Sequence, residues 1–157
     1  IFNTSEPNSE VQINQAIELA PSLGLEIVAM GISNINDMPQ AVDSIIKKVD
    51  AIYTITDNMV ASAINVISEK AIANKIITVG AEDSHVAGGI LISDSLSYFE
   101  LGKQTAKMAK EILVDGKSPS DIPAARAENT KLIFNKETLE ALEISNEIFE
   151  KAVEVGN

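Results

Sequence analysis

An α/β fold, a doubly wound parallel sheet flanked by helices, is predicted by three features of the sequence. Short runs rich in Ile, Val, Ala and Thr alternate along the chain with segments of helical period. Four of those runs are almost continuously apolar, as strands covered on both faces require. Pro, Gly, Ser, Asp and Asn punctuate the junctions at positions suited to starting and stopping helices.

The strand candidates are residues 1–3, 25–32, 51–56, 75–80, 89–93 and 131–134. Ile13, Ala16, Ile17 and Ala20 recur on one helical face, with Pro7 suited to the first turn. Pro21 ends that helix and Gly24 supplies the stop. Met38, Val42, Ile45, Ile46 and Val49 form a second stripe, opened by Asp37 and Pro39. Residues 59–73 are apolar on more than one side and predict a well-buried helix. Ser97-Tyr98-Phe99-Glu100 has the spacing of a capping box, ahead of a helix carrying Tyr98, Leu101, Met108, Ala109 and Ile112 on one face. Residues 114–123 are rich in turn formers and read as a linker. Asn135 is placed to cap a short helix, and residues 146–155 read as a last one.

The 157 residues are enough for one domain with a full core, and no apolar run is long enough to span a bilayer. The chain opens at Ile1-Phe2-Asn3, inside a predicted strand and without methionine, so it is read as part of a longer protein. Twelve basic and 23 acidic side chains give a net charge of -11. Such a surface repels phosphate backbones, and Arg126 is the single arginine, so no nucleic-acid partner is expected. The absence of Cys excludes disulfides, thiolate metal sites and a thiol nucleophile.

His85 is the single histidine and is expected in a surface loop, which leaves no histidine-based metal site or triad. Gly88-Gly89 follows no nucleotide-binding pattern, and Gly116-Lys117-Ser118 lacks the upstream glycine of a phosphate loop. A phosphoreceiver reading of Asp57 needs a second acidic residue beside Glu6 and a Lys near Ser93, and neither is present. No cofactor, no metal and no enzymatic activity are expected.

In open α/β sheets, ligands sit beyond the carboxyl ends of the strands. Three loops fall there: residues 4–9, 56–58 and 81–84. They supply Ser5, Glu6, Asn8, Ser9, Thr56, Asp57, Asn58 and Glu82, a mixture of hydroxyls, amides and carboxylates suited to a zwitterion. The same residue types are the preferred helix caps, so each loop also has a purely structural reading.

Residues 53–58 (Tyr-Thr-Ile-Thr-Asp-Asn) and 99–108 (Phe-Glu-Leu-Gly-Lys-Gln-Thr-Ala-Lys-Met) resemble ABC-transporter substrate-binding proteins of the tryptophan- and tyrosine-binding lipoprotein type. Residues 3–9, 49–53 and 117–123 add to the resemblance, which runs in order to about Ile144. It implies one lobe, the C-terminal half, of a two-lobed type I periplasmic-binding-protein-like fold that closes on a small molecule. The second lobe would comprise residues 1–87 and 119–157, with residues 88–118 crossing to the other lobe. The implied function is the solute-binding component of an ABC importer, with an amino acid, aromatic favoured, as ligand and a membrane permease as partner. The implied location is extracytoplasmic, with a lipid anchor. Asn8 and Ser9 would donate to a ligand carboxylate, and Asp57 would accept from its amino group with Asn58 orienting it. The sequence departs from the family in carrying Ser95-Leu96-Ser97-Tyr98 where Gly-Ile-Asp-Tyr is common. The effector-binding domain of a transcription regulator has the same architecture and is the alternative. Because the apolar face of the helix at residue 98 lacks a partner in this chain, the isolated chain is expected to self-associate.

Overall fold

The computed structural model describes residues 1–127, 130–149 and 152–155. Its strands are β1 (Phe2–Asn3), β2 (Gly31–Ile32), β3 (Ala51–Thr54), β4 (Ile77–Glu82), β5 (Ile92–Leu96), β6 (Thr130–Asn135) and β7 (Val153–Val155). The α-helices are α1 (Pro7–Leu19), α2 (Met38–Ile45), α3 (Asn58–Ser62), α4 (Ile64–Ala73), α5 (Asp83–Ala87), α6 (Tyr98–Leu113) and α7 (Lys136–Ala141). β1 pairs with β2, and a five-stranded sheet runs in the order β3-β4-β5-β6-β7. Every pairing is parallel except β5 with β6. The predicted α/β class with a parallel sheet flanked by helices is the observed one.

The local signals act as their chemistry dictates. Pro21 stands in a 3-10 turn at Ala20–Leu23, where Gly24 closes the helix at φ 70°. Asn135 Oδ1 accepts from Thr138 N at 2.9 Å, and its Nδ2 donates to the Val86 carbonyl at 2.9 Å. One amide therefore caps α7 and ties it to α5. Gly88 and Gly89 meet α4 at close quarters: a Cβ on Gly88 would collide with Ile64, and Gly89 sits at φ 96°. The Gly-Gly pair is a packing device.

Several expectations are corrected. Residues 25–32 pair only at their end, in Gly31–Ile32. The helix expected over residues 59–73 breaks at Ala63, whose φ and ψ of -108° and 13° leave the helical region. In place of the helix expected over residues 146–155, the described residues there form a 3-10 turn at Asn146–Phe149 and strand β7. There Phe149 stacks on Phe134 with ring centroids 5.3 Å apart, so tertiary packing overrides the local period. Half of the capping box forms: Ser97 Oγ accepts from Glu100 N at 3.4 Å, while the Glu100 carboxylate pairs with Lys103. His85 is fully buried within α5. β5 lies between β4 and β6, so Ile92–Leu96 pair within this sheet.

The main core gathers Met38, Val42 and Ile45 of α2, Ile52 of β3, Val60 of α3, and Ile67 and Ala71 of α4. Two other surfaces contrast with it. Tyr53, Ile77 and Leu132 are exposed, and strand register places them on one face of the sheet. α6 buries none of its residues, and Tyr98, Phe99 and Leu113 are exposed. Parallel sheets ordinarily have both faces covered.

Candidate functional site

The ends of β1, β3 and β4 carry the three loops singled out in the sequence, and the first two are tied into one knot. At its centre lies the Asp57 carboxylate, 3% exposed. Oδ2 accepts from Asn3 N at 2.7 Å and from Ser9 Oγ at 2.6 Å. Oδ1 accepts from Met59 N at 2.9 Å and Val60 N at 3.0 Å, which caps α3. Burial pushes this carboxyl up, but the four hydrogen bonds together outweigh it and hold the group below its ordinary value.

A second set of bonds fastens the same loops. Asn8 Nδ2 donates to the Thr56 carbonyl at 3.0 Å, and Gln12 accepts from Thr56 N at 3.2 Å while donating to its carbonyl at 3.3 Å. Asn3 Oδ1 accepts from Ser5 N at 2.9 Å, and its Nδ2 reaches Glu6 Oε1 at 3.4 Å. Ser5, Asn8 and Asn58 are exposed, Glu6 and Thr56 half-buried, and Ser9 fully buried. With all four of its acceptor positions taken by protein donors, Asp57 has none left for a ligand ammonium. Likewise Ser9 gives its proton to Asp57 and not to a ligand carboxylate.

The third loop builds a different corner. Glu82 ends β4 at 6% exposure, and His85 lies one turn on at 0%. His85 Nδ1 is 3.0 Å from Thr54 Oγ1, and its Nε2 is 2.9 Å from Glu82 Oε1 without the alignment of a full hydrogen bond. Burial pushes the imidazole below its ordinary value against the opposing charges of Glu82, Asp57 and Asp83. Tyr98, the first residue of α6, is pushed up by partial burial and by the nearby carboxylates of Glu82 and Asp83. Asp83 is exposed, and its Oδ1 accepts from Ser84 N at 2.9 Å.

Sequence reasoning missed Asn3, Gln12, Thr54, His85 and Tyr98. Asn3 carried a signal, since an Asn two residues before a loop residue commonly folds into an Asx turn. Gln12 lies one helical turn beyond Asn8, so the two amides reach the same carbonyl. For His85 the signal was its place in the sequence after Glu82-Asp83-Ser84, where a helical turn brings residues three apart together. No group of side chains among the described residues has the makings of a metal site.

Comparison with known proteins identifies the family. The family described as ABC transporter substrate binding protein matches residues 1–155. A tyrosine-binding protein of Clostridioides difficile strain R20291 is 36% identical over 144 residues, covering 92% of this chain and 41% of the relative. The ligand-free, open structure of a substrate binding protein with adhesive properties from Clostridium difficile superposes with TM-score 0.81 at 37% identity, over 99% of this chain and 52% of that one. A Streptococcus pneumoniae ABC domain in complex with L-Trp gives TM-score 0.84 at 26% identity, over 98% and 54%. The chain thus spans about half the length of these proteins, and it belongs to the ABC transporter substrate-binding protein family.

Proposed function

We propose that this chain is the second ligand-binding lobe of a two-lobed solute-binding protein that delivers an amino acid, aromatic favoured, to the permease of an ABC importer. The observation that carries the reading is the convergence of the three polar loops at the C-terminal ends of β1, β3 and β4. There the exposed Ser5, Asn8 and Asn58 offer donors to a carboxylate. The names of the tyrosine-binding relative and of the L-Trp complex favour an aromatic ligand.

In this reading the whole protein works outside the cytoplasm, held to the membrane by a lipid anchor. α6 and the linker that follows it belong with the other lobe, in keeping with a helix that buries no residue here. The uncovered sheet face around Tyr53, Ile77 and Leu132 is a second surface for the remainder of the protein. Either surface would account for self-association of the isolated chain.

Thermal-shift screening of the two-lobed protein against the amino acids tests the reading. L-tyrosine or L-tryptophan at a hundredfold excess over Kd should stabilise the protein by about 2.7 kcal/mol, through linkage to the folded state. A melting temperature unmoved by every amino acid would reject it.

A further inference from the structure

We infer that Glu82 is the acceptor for the ligand's cationic group, and that His85 is the residue that positions it. The inference rests on the proposed amino-acid-binding role of this sheet edge and assigns one charge contact within it.

Four carboxylates lie at the edge, and their surroundings separate them. Asp57 is buried but saturated by four protein donors. Asp83 is exposed and Glu6 half-buried, so water already compensates both. Glu82 alone is buried and short of donors. Among the described residues its single ion-pair contact is His85, and no side chain donates a full hydrogen bond to it, although the Tyr98 phenol is near. Among the described residues no Lys or Arg pairs with it. A carboxylate taken out of water without a cation is costly, and the molecule that repays that cost must bring positive charge with it.

His85 makes poor compensation and a good support. Its burial favours the neutral ring, so Glu82 faces a dipole and not a cation. The ring is held by contacts on both nitrogens: Nδ1 lies 3.0 Å from Thr54 Oγ1, whose proton goes to the Val79 carbonyl at 3.3 Å, and Nε2 lies 2.9 Å from Glu82 Oε1. Protonation of His85 would put a second cation against Glu82 and compete with the ligand's ammonium. The other charged or titratable groups facing the ring are Asp57 at the end of β3, Asp83 beside it on α5 and, across Glu82, Tyr98 of α6. None of these supplies a competing positive charge.

The test uses the two-lobed protein with whichever of L-tyrosine and L-tryptophan binds, and with the matching des-amino acid, which keeps ring and carboxylate. In calorimetry, Glu82→Gln should weaken the amino acid roughly 10- to 100-fold, the range of a charge-assisted hydrogen bond. The des-amino acid should stay within about twofold. Glu82→Asp, which keeps the charge but withdraws it by one methylene, should fall between and serves if Glu82→Gln does not fold. For His85, the readout is the pH profile. Wild-type affinity for the amino acid should fall as pH drops through the folded His85 value, which lies below that of a free imidazole. That fall should vanish in His85→Gln and be missing for the des-amino acid. Undiminished amino-acid affinity in Glu82→Gln, with wild type still discriminating against the des-amino acid, would overturn the Glu82 assignment and leave the zwitterion site standing. Failure of wild type to bind any amino acid would instead strike the underlying reading.

Discussion

Asp57 in the loop after β3 and Glu82 at the end of the neighbouring parallel strand β4 are both almost fully buried, and they have opposite surroundings. Asp57 receives four donors from three segments and is the pin of a closed knot. Glu82 faces an imidazole that burial keeps neutral and lies near the phenol of Tyr98, on a helix that buries no residue. The difference shows what burial of a carboxylate means. Where the fold supplies the donors, the charge builds structure; where it does not, the charge is held for a partner.

The largest effect that separates them is on stability. Asp57→Ala strips the acceptor from three backbone N–H groups and one hydroxyl in a site closed to water. Each buried donor left unmatched costs about 1–3 kcal/mol, so a total loss of roughly 3 kcal/mol or more is expected in urea unfolding. The same comparison has a pH signature. A carboxyl held below its ordinary value contributes stability above the unfolded value of about 3.9 and loses it as pH falls through the folded value. Wild type should therefore lose stability below about pH 4, and Asp57→Asn should flatten that loss. An acid limb unchanged in Asp57→Asn would mean that the knot does not depend on this charge.

How much of this was legible in the sequence follows from the range of each interaction. Caps and stops such as Gly24, Ser97 and Asn135 depend on residues within one helical turn, and they read correctly from spacing alone. The loops after β1, β3 and β4 were also visible, since a parallel α/β pattern fixes which loops share an edge. The division of labour inside them was not. Whether Asp57 is free depends on Asn3 and Ser9, 54 and 48 residues away. Whether His85 is exposed depends on its packing over Thr54, 31 residues away. β7 was invisible for the same reason: its segment has helical composition, and only pairing with β6 makes it a strand.

A smaller effect belongs to the imidazole. Its folded value lies below the ordinary one, so the unfolded chain binds the proton more readily as pH drops under about 6.5. Stability must then rise with pH through that window and level off above it. In His85→Gln the rise should disappear, whereas Asp57→Asn should keep it. Unfolding free energies measured at intervals from pH 5 to 8 check the sign. An undiminished slope in His85→Gln would assign it to another group and remove the neutral imidazole from the description of the corner.

The smallest effect is spectroscopic, and it tests the corner without disturbing the knot. The chain has two tyrosines, and both hydroxyls are held above their ordinary value. For Tyr53 the cause is partial burial of an otherwise exposed side chain; for Tyr98 it is partial burial and then the neighbouring Glu82 carboxylate. Because the folded values are raised, stability contributed by these groups falls as pH rises above about 10. An ultraviolet titration of phenolate should show two steps, and Tyr98→Phe should remove one while changing stability by no more than about 0.5 kcal/mol, as for a half-exposed side chain. Glu82→Gln should bring the Tyr98 step down toward its ordinary range, since a neutral amide no longer repels the phenolate. Asp57→Asn should move neither step, because neither hydroxyl owes its shift to that carboxylate. A Tyr98 step that ignores Glu82→Gln would show the phenol standing clear of the carboxylate, and Glu82 would then have still fewer protein partners than described.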